Sequence, residues 1–171
     1  AYDNRAERPA RRGRVDDSGG DTEGGKKLYY HLTLLAETDQ GYRNLIQLAS
    51  LAFLEGYYYK PRIDWELLER HSKGLVVLSG CLSGRVSRAL SESRGKDARE
   101  DLDRLVQIFG RDSTYVEIQN AGLAEQQQVN PGLIALAEET GLPLVATGDV
   151  HYLDAEDAFA HEALLCIQSG D

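Results

Sequence analysis

Asp149 and His151 have the residue types and the spacing of a metal-binding pair. They directly follow the apolar run LPLVAT, which is typical of a buried strand. In an extended chain, residues two positions apart project to the same side, so the carboxylate and the imidazole would point into one site. An oxygen and a nitrogen donor together suit Zn²⁺ or Mn²⁺. A D-x-H pair is a weak motif by itself, so it indicates a metal site only if other donors join it.

Cys81 and His31 are the further donors that the sequence offers. Cys81 follows a second apolar run, GLVVLS, within the turn sequence SGCLSG. A thiol at this position could be a metal ligand, a nucleophile, or a small buried residue at a strand end. His31 lies in a third apolar run, where an imidazole is either a ligand or a hydrogen-bonded residue at the rim of the core. The residues alone leave these alternatives open.

The segment GYYYKPR, residues 56–62, mixes aromatic and cationic side chains. Such a mixture can stack bases and pair with phosphates, which makes Lys60 and Arg62 candidates for substrate contact. The alternative is a turn whose tyrosines cover the ends of neighbouring helices. The sequence contains no G-x-S-x-G elbow, no G-x-x-x-x-G-K-[ST] phosphate loop, no G-x-G-x-x-G after a strand and no C-x-x-C. Common hydrolase and nucleotide-binding motifs are therefore absent from it.

Short apolar runs alternate with segments of helical periodicity, and this alternation predicts where the donors lie. The apolar runs predict strands at residues 28–36, 74–79, 115–118 and 144–147. Helices are predicted at the stripe Tyr42, Leu45, Ile46, Ala49 and Phe53, from about Gly84, at the face Leu102, Leu105, Val106 and Phe109, over residues 130–140 and after Asp154. The pattern predicts an α/β fold with parallel strands joined by crossover helices. Ligands of such folds bind beyond the carboxyl ends of the strands, where Cys81 and Asp149 are expected.

The charge balance divides the chain near residue 27. Residues 1–27 carry seven Lys or Arg, six Asp or Glu and five Gly, which predicts a flexible charged loop or arm. Residues 28–171 carry 12 basic and 22 acidic residues, a net charge of −10, and hold the regular apolar pattern of a core. The whole chain, at −9, repels nucleic acid, so handling phosphates would require bound cations.

The 171 residues include two cysteines, too few for a disulfide framework, so both are expected to be free thiols in a reducing compartment. No apolar run approaches the roughly 18 residues that cross a bilayer. Residues 1–14 also lack the apolar stretch of a secretory signal. These features predict a soluble, cytoplasmic protein without membrane contact.

Four segments together resemble the PHP (polymerase and histidinol phosphatase) domain of bacterial DNA polymerase III alpha subunits. They are HLTLLAETDQGYRNLIQLAS with His31, LEGYYYKPRID, GLVVLSGCLSG with Cys81, and GLPLVATGDVHYL with Asp149 and His151. The similarity runs from Tyr29 to the C-terminal LLCIQSG. The resemblance implies a partial PHP-type distorted (β/α)7 barrel whose strand ends hold a cluster of divalent cations, Zn²⁺ or Mn²⁺ with Mg²⁺ also compatible. By position, it implies that these two His, the Cys and the Asp are metal ligands.

The function implied by the resemblance is that of a metal-dependent phosphoesterase with 3′–5′ exonuclease (proofreading) activity inside a DNA-directed DNA polymerase. Its cations would offset the charge of a phosphodiester, which reconciles the acidic chain with DNA as a partner. The other implied partners are further polymerase domains, the proofreading subunit and the sliding clamp. Retention of Cys81 and His151 favours the catalytic form over a form that has lost its ligands.

Two alternatives to a catalytic polymerase module remain, and the resemblance also limits what the fragment alone can do. One is a non-catalytic PHP scaffold that stabilises the polymerase and docks a proofreading subunit. The other is a stand-alone PHP phosphatase for small phosphate esters. The family's remaining ligands, an H-x-H pair, an Asp, a His and a Glu, come earlier in the domain. The resemblance therefore implies a fragment that binds metal weakly and is inactive in isolation.

Overall fold

Four short apolar strands form the central sheet of the protein. The computed structural model describes residues 4–8, 11–12, 21–22 and 29–169. Its strands are β1 (Arg11–Arg12), β2 (Asp21–Thr22), β3 (Thr33–Ala36), β4 (Leu75–Leu78), β5 (Thr114–Gln119) and β6 (Leu144–Thr147). The first two pair with each other, and the other four form one sheet in the order β3-β4-β5-β6. The predicted strands are confirmed, although the first is shorter than its apolar run.

The strand directions agree only in part with the prediction of a parallel sheet. Strands β4, β5 and β6 run parallel, as predicted. Strand β3 runs antiparallel to β4, with Thr33 opposite Leu78 and Ala36 opposite Leu75, so the prediction is wrong for this pair. The apolar pattern of a short strand reads the same in both directions. It indicates which residues face the core, but not whether the strand runs parallel or antiparallel to its neighbour.

Six α-helices accompany the strands in the described part of the chain. They are α1 (Asp39–Leu54), α2 (Trp65–His71), α3 (Arg85–Ser91), α4 (Gly95–Phe109), α5 (Ala124–Thr140) and α6 (Ala158–Ser169), with 3₁₀ turns at Arg111–Ser113 and Ala155–Asp157. The final helix follows Asp154 as predicted, and the Asp154 backbone N–H donates to the Asp157 carboxylate at 3.3 Å. Helix α2 was not predicted. The resulting α/β architecture agrees with the sequence analysis.

Helix α5 is longer than the prediction based on Pro131. Its first turn lies at Ala124, so Pro131 is inside the helix rather than near its start. The segment AEQQQ before the proline consists of residues with good helix propensity, which outweighs the missing backbone donor. Gly141 ends the helix with φ of +65°, as predicted.

Helix α1 forms where its periodicity predicts, but it buries a different face. Its buried residues are Gly41, Asn44, Leu48 and Ala52. The predicted stripe is largely exposed, including Tyr42 at 61%, Ile46 at 50% and Phe53 at 61%. The helix thus carries apolar side chains on two faces, and the pattern alone could not select the one that contacts the sheet.

Two apolar clusters hold the helices on the sheet. One joins α3, α4, β5 and α5 through Val86, Leu102, Val116, Val129 and Leu133 among others. The second joins α1, α2, β4 and α4 through Leu48, Trp65, Leu67, Leu68, Val77 and Leu105 among others. One cluster includes Val116 of β5 and the other includes Val77 of β4, so the two middle strands of the sheet carry the core of the described chain.

The predicted arm, residues 1–27, lies mostly outside the described residues. Of the part that is described, residues 4–8 contact the body through Arg5, whose guanidinium donates to Asp64 at 2.9 Å and to Glu55 at 2.7 Å. None of the helices in the described part of the chain is long and apolar enough to cross a bilayer.

Candidate metal centre

His31 and Cys81 meet at one end of the sheet. The His31 Nδ1 atom lies 3.5 Å from the Cys81 Sγ atom, although the two residues are far apart in sequence. The backbone N–H of His31 donates to the Ser83 carbonyl at 3.0 Å, and His31 forms a bridge with Gly84. These backbone contacts tie the residue before β3 to the loop after β4, so the imidazole and the thiol are held side by side.

The loop that carries Cys81 depends on two glycines. Gly80 has φ of +92°, a backbone conformation that residues other than glycine rarely adopt. A Cβ atom on Gly84 would lie 2.7 Å from the Ser79 carbonyl oxygen, so only glycine fits there. The Gly84 N–H also donates to the Cys81 carbonyl at 2.8 Å. The SGCLSG sequence therefore forms a tight turn that directs the thiol toward His31.

Asp149 joins this pair around a shared cavity of about 450 Å³. The cavity is lined by His31, Leu32, Thr33, Cys81, Glu117, Gln119, Thr147 and Asp149. Asp149 has φ of +50°, in the left-handed region that Asp tolerates better than most residues. The structure thus brings three of the four predicted ligands to one cavity at the ends of the sheet.

His151 is the predicted ligand that does not line this cavity. Its Nδ1 atom lies 2.6 Å from the Asp149 carbonyl oxygen, and its ring centroid lies 5.6 Å from that of His161. The prediction that Asp149 and His151 share a side assumed an extended chain. The left-handed conformation of Asp149 interrupts that alternation and turns the imidazole away. Strand β6, expected to be buried, also has no buried residue.

The environment of Cys81 distinguishes between its possible roles. Burial raises the pKa of the Cys81 thiol, and the nearby charges of Asp149 and Glu117 raise this pKa further. A nucleophilic cysteine requires the opposite shift, toward the thiolate at neutral pH. A bound cation would favour the thiolate and offset both carboxylates, so the surroundings of Cys81 suit a ligand better than a nucleophile.

The donor atoms are of types that bind a transition-metal ion, but their positions match the geometry of such a site only in part. One imidazole nitrogen, one thiol sulfur and one carboxylate oxygen are ligands that Zn²⁺ accepts. Among the described residues, no three His, Cys, Asp or Glu side chains converge closely enough to hold one ion. The cavity therefore offers the ligands of a partial shell that would have to contract around a cation.

Glu117 and Gln119 are site residues that the sequence analysis missed. Both lie on β5, both are less than a tenth exposed, and both line the cavity. The signal was present in the strand TYVEIQ, where two long polar side chains alternate with apolar ones. A buried polar side chain requires hydrogen-bond partners, so its position marks a polar site.

Lys60 and Arg62 are not among the described residues that line this cavity. Arg62 is 2% exposed, its Nε donates to the Gly56 carbonyl at 3.0 Å, and its guanidinium lies over the Tyr58 ring. Its Nη2 donates to the carbonyls of Arg5 and Glu7. Arg62 thus holds the turn and residues 4–8 together. Substrate contact by Lys60 or Arg62 stays a prediction.

The match between this chain and known proteins decides its family. Residues 10–121 match the PHP domain, a segment that includes His31 and Cys81 and ends before Asp149. The chain belongs to the PHP domain family. Three similar proteins are each named DNA polymerase III subunit alpha, and they come from Treponema pallidum, Deinococcus radiodurans and Thermus aquaticus. The sequence resemblance to PHP domains is thereby confirmed.

The identity to these relatives extends over most of the PHP chain. It is 48% over 141 residues for the Treponema protein, 50% over 145 residues for the Deinococcus protein and 50% over 152 residues for the Thermus protein. These alignments cover 82%, 85% and 87% of this chain, but only 12%, 11% and 12% of the relatives. The chain therefore corresponds to a small part of each relative.

Proposed function

We propose that this chain is the PHP region of a bacterial DNA polymerase III alpha subunit and that its cavity binds divalent cations for hydrolysis of a phosphodiester. The observation that carries the proposal is the convergence of His31, Cys81 and Asp149 on one cavity. Three donors of suitable chemistry, drawn from three separate strand ends, are unlike the surroundings of a purely structural cysteine. The similarity to alpha subunits over most of the chain supports the same assignment.

The residues of the cavity have distinct tasks in this proposal. His31 and Cys81, which backbone hydrogen bonds fix, would hold a cation, and Asp149 would add a carboxylate oxygen. The Cys81 S–H bond must break before the sulfur can bind, and its proton leaves to solvent. When bound, a divalent cation supplies positive charge that stabilises the negative charge developing on a phosphodiester. The expected reaction is removal of a 3′-terminal nucleotide, a proofreading 3′–5′ exonuclease activity.

The larger assembly belongs to the same proposal. The described mixed sheet would be part of a distorted (β/α)7 PHP barrel, with further polymerase domains of the alpha subunit as neighbours. DNA is the proposed substrate, and the proofreading subunit and sliding clamp are proposed partners in the cytoplasm. Cations at the cavity would reduce the repulsion between DNA and a chain of net charge −9.

The decisive experiment removes two donors from the full-length protein. We expect the double variant Cys81→Ser, Asp149→Asn to lose bound zinc and manganese, measured by elemental mass spectrometry after gel filtration. Release of the terminal nucleotide from a 3′-mismatched primer should be lost in parallel. Both substitutions nearly conserve side-chain size, so the cavity should keep its shape.

The matched control is the double variant Cys166→Ser, Asp112→Asn. Both of these residues are exposed, and neither lines the cavity in the described part of the chain. This variant should keep the metal content and the exonuclease activity of the unmodified protein. Equal metal content in the cavity variant and in this control would contradict the proposed cation site.

A non-catalytic scaffold is the second candidate function, and the exposed face of α1 favours it. Tyr42, Ile46 and Phe53 form an apolar stripe that a docking role would use. In that case the cavity variant would retain the polymerase activity and complex stability of the full-length protein. Changing Ile46 and Phe53 together to Gln would instead weaken the assembly, measured by analytical ultracentrifugation with the other holoenzyme subunits.

A further inference from the structure

Glu117 occupies a central position behind the cavity. One carboxylate oxygen, Oε1, accepts hydrogen bonds from Thr147 Oγ1 at 2.5 Å and from Gln119 Nε2 at 3.2 Å. The other oxygen, Oε2, accepts from Thr33 Oγ1 at 3.4 Å. The Glu117 backbone N–H donates to Ser79 Oγ at 3.0 Å. One residue of β5 therefore contacts side chains from β3, from the end of β4 and from β6.

The partners of Glu117 share a relation to the predicted metal ligands. Thr33 lies two residues after His31, and Thr147 lies two residues before Asp149. Ser79 lies two residues before Cys81. Each contact thus fixes a strand end close to the point where a ligand leaves it. A network of this kind can set the distances between ligands that come from different strands.

The charge of Glu117 has no partner of opposite sign within the protein as described. The residue is 4% exposed, and in residues 4–8 and 29–169 its carboxylate forms no ion pair. Its hydrogen-bond donors are two hydroxyls and an amide, all of them neutral. Buried carboxylates are ordinarily paired with a cation, either a side chain or a metal ion. The cavity that Glu117 lines is where such a cation would lie.

We propose that Glu117 is a positioning residue for the cation site, which aligns the strand ends that carry His31, Cys81 and Asp149 and adds a negative charge beside the cation. This inference rests on the proposed function, because it assumes that the cavity binds a cation. Glu117 acts through its hydrogen-bond partners and its charge. The described geometry does not bring it into a three-ligand group.

The test titrates the full-length protein with Co²⁺, whose absorption reports both the binding of a thiolate and the geometry of the ligands. We compare the unmodified protein with Glu117→Gln, which keeps an acceptor oxygen but removes the charge, and with Thr147→Val, which removes one hydrogen bond at nearly constant volume. Glu117→Gln should weaken Co²⁺ binding about tenfold, in the range seen when groups that orient ligands are removed. It should also shift the thiolate-to-cobalt absorption band. Thr147→Val should have a smaller effect in the same direction.

A control variant and a second measurement separate positioning from folding. Glu138→Gln makes the same charge change at an exposed residue of α5 and should leave the titration unchanged. Hydrogen–deuterium exchange of peptides covering β5 and β6, measured in chelator, reports the structure of the metal-free site. It should be the same in Glu117→Gln and in the unmodified protein.

The possible outcomes are distinct. An unchanged Co²⁺ affinity and band in Glu117→Gln overturns the inference and leaves the proposed function intact. A loss of affinity that accompanies faster exchange of β5 in chelator also overturns it, because Glu117 would then be a folding residue. If the unmodified protein binds no Co²⁺, the proposed function fails first and the inference fails with it.

Discussion

On one side of the cavity, backbone hydrogen bonds hold His31 and Cys81 in place, whereas on the other side Asp149 follows strand β6 and is exposed. On the fixed side, Cys81 follows the central strand β4, which contributes to one apolar cluster, and His31 precedes the edge strand β3. The open side has a left-handed residue and no buried position in β6. A site built in this way has a rigid half that defines where a cation binds and an adaptable half that can close on it.

The largest effect on stability is expected when one glycine on each side of the cavity is replaced by alanine and the two variants are compared. In Gly84→Ala, the new Cβ would lie 2.7 Å from a backbone oxygen, so the loop that carries Cys81 must move. We expect a loss of about 1 to 3 kcal/mol in the free energy of unfolding, the usual range for overpacking. In Gly148→Ala, the Cβ would meet only the Val150 side chain at 3.3 Å, so the effect should be much smaller. Chemical denaturation measures both, and equal losses would contradict the assignment of a rigid and an adaptable side.

Thiol reactivity should also separate the buried site from the exposed C-terminal helix. Burial raises the pKa of the Cys81 thiol, so in chelator at pH 8 it should react with iodoacetamide several-fold more slowly than the exposed Cys166. The rate for Cys81 should rise only at a higher pH than that of an ordinary thiol, because burial raises the pKa of Cys81. In the unfolded chain the thiol has its ordinary pKa of 9.0, so it loses its proton at a lower pH than in the folded protein. The Cys81 thiol therefore lowers the free energy of unfolding as the pH rises above 9.0.

Mass spectrometry of the two alkylated peptides measures the rates separately. Zn²⁺ should slow the reaction of Cys81 and leave that of Cys166 unchanged. Faster alkylation of Cys81 than of Cys166 in chelator would mean that its thiol is activated, and the nucleophile alternative would then regain support.

The smallest expected effect compares two helix caps. Asp64 accepts from the Leu67 N–H at 3.1 Å, pairs with Arg5 at 2.9 Å and is 4% exposed, so Asp64→Ala should cost about 2 kcal/mol. Asp157 accepts from the Asp154 N–H in the capping box of the turn before α6 but is exposed, so Asp157→Ala should cost about 0.5 kcal/mol. Thermal unfolding of both variants in chelator checks the ratio. A larger cost at Asp157 would mean that α6 contributes more to stability than its exposure indicates.

The sequence was sufficient to predict the strands of the sheet and several helix ends. The apolar runs located β4, β5 and β6. Gly141 marked a helix end because glycine readily adopts the left-handed conformation, and Asp154 marked a helix start because its side chain can accept from backbone N–H groups. The positions of Cys81 and Asp149 after strands also led to their common cavity. These features depend on a few neighbouring residues, which is why the pattern contains them.

Other features depend on contacts between distant segments. The direction of β3 and the buried face of α1 follow from packing, which the apolar pattern alone leaves undetermined. The orientation of His151 depends on one backbone angle at Asp149, and the internal role of Arg62 depends on residues 4–8. Glu117 was missed although its strand pattern was visible, because its partners come from three other parts of the sheet.

The positive φ of Asp149 determines which substitutions can be interpreted at that position. Valine or isoleucine would strain the main chain there, so a loss of metal in such a variant would mix distortion with the loss of an oxygen donor. Asparagine tolerates the same torsion angle and has the same shape, yet it is neutral. At this position, replacing aspartate by its amide therefore leaves the main chain unstrained, and a resulting loss of cation binding reports the loss of a carboxylate oxygen and its charge rather than distortion of the backbone.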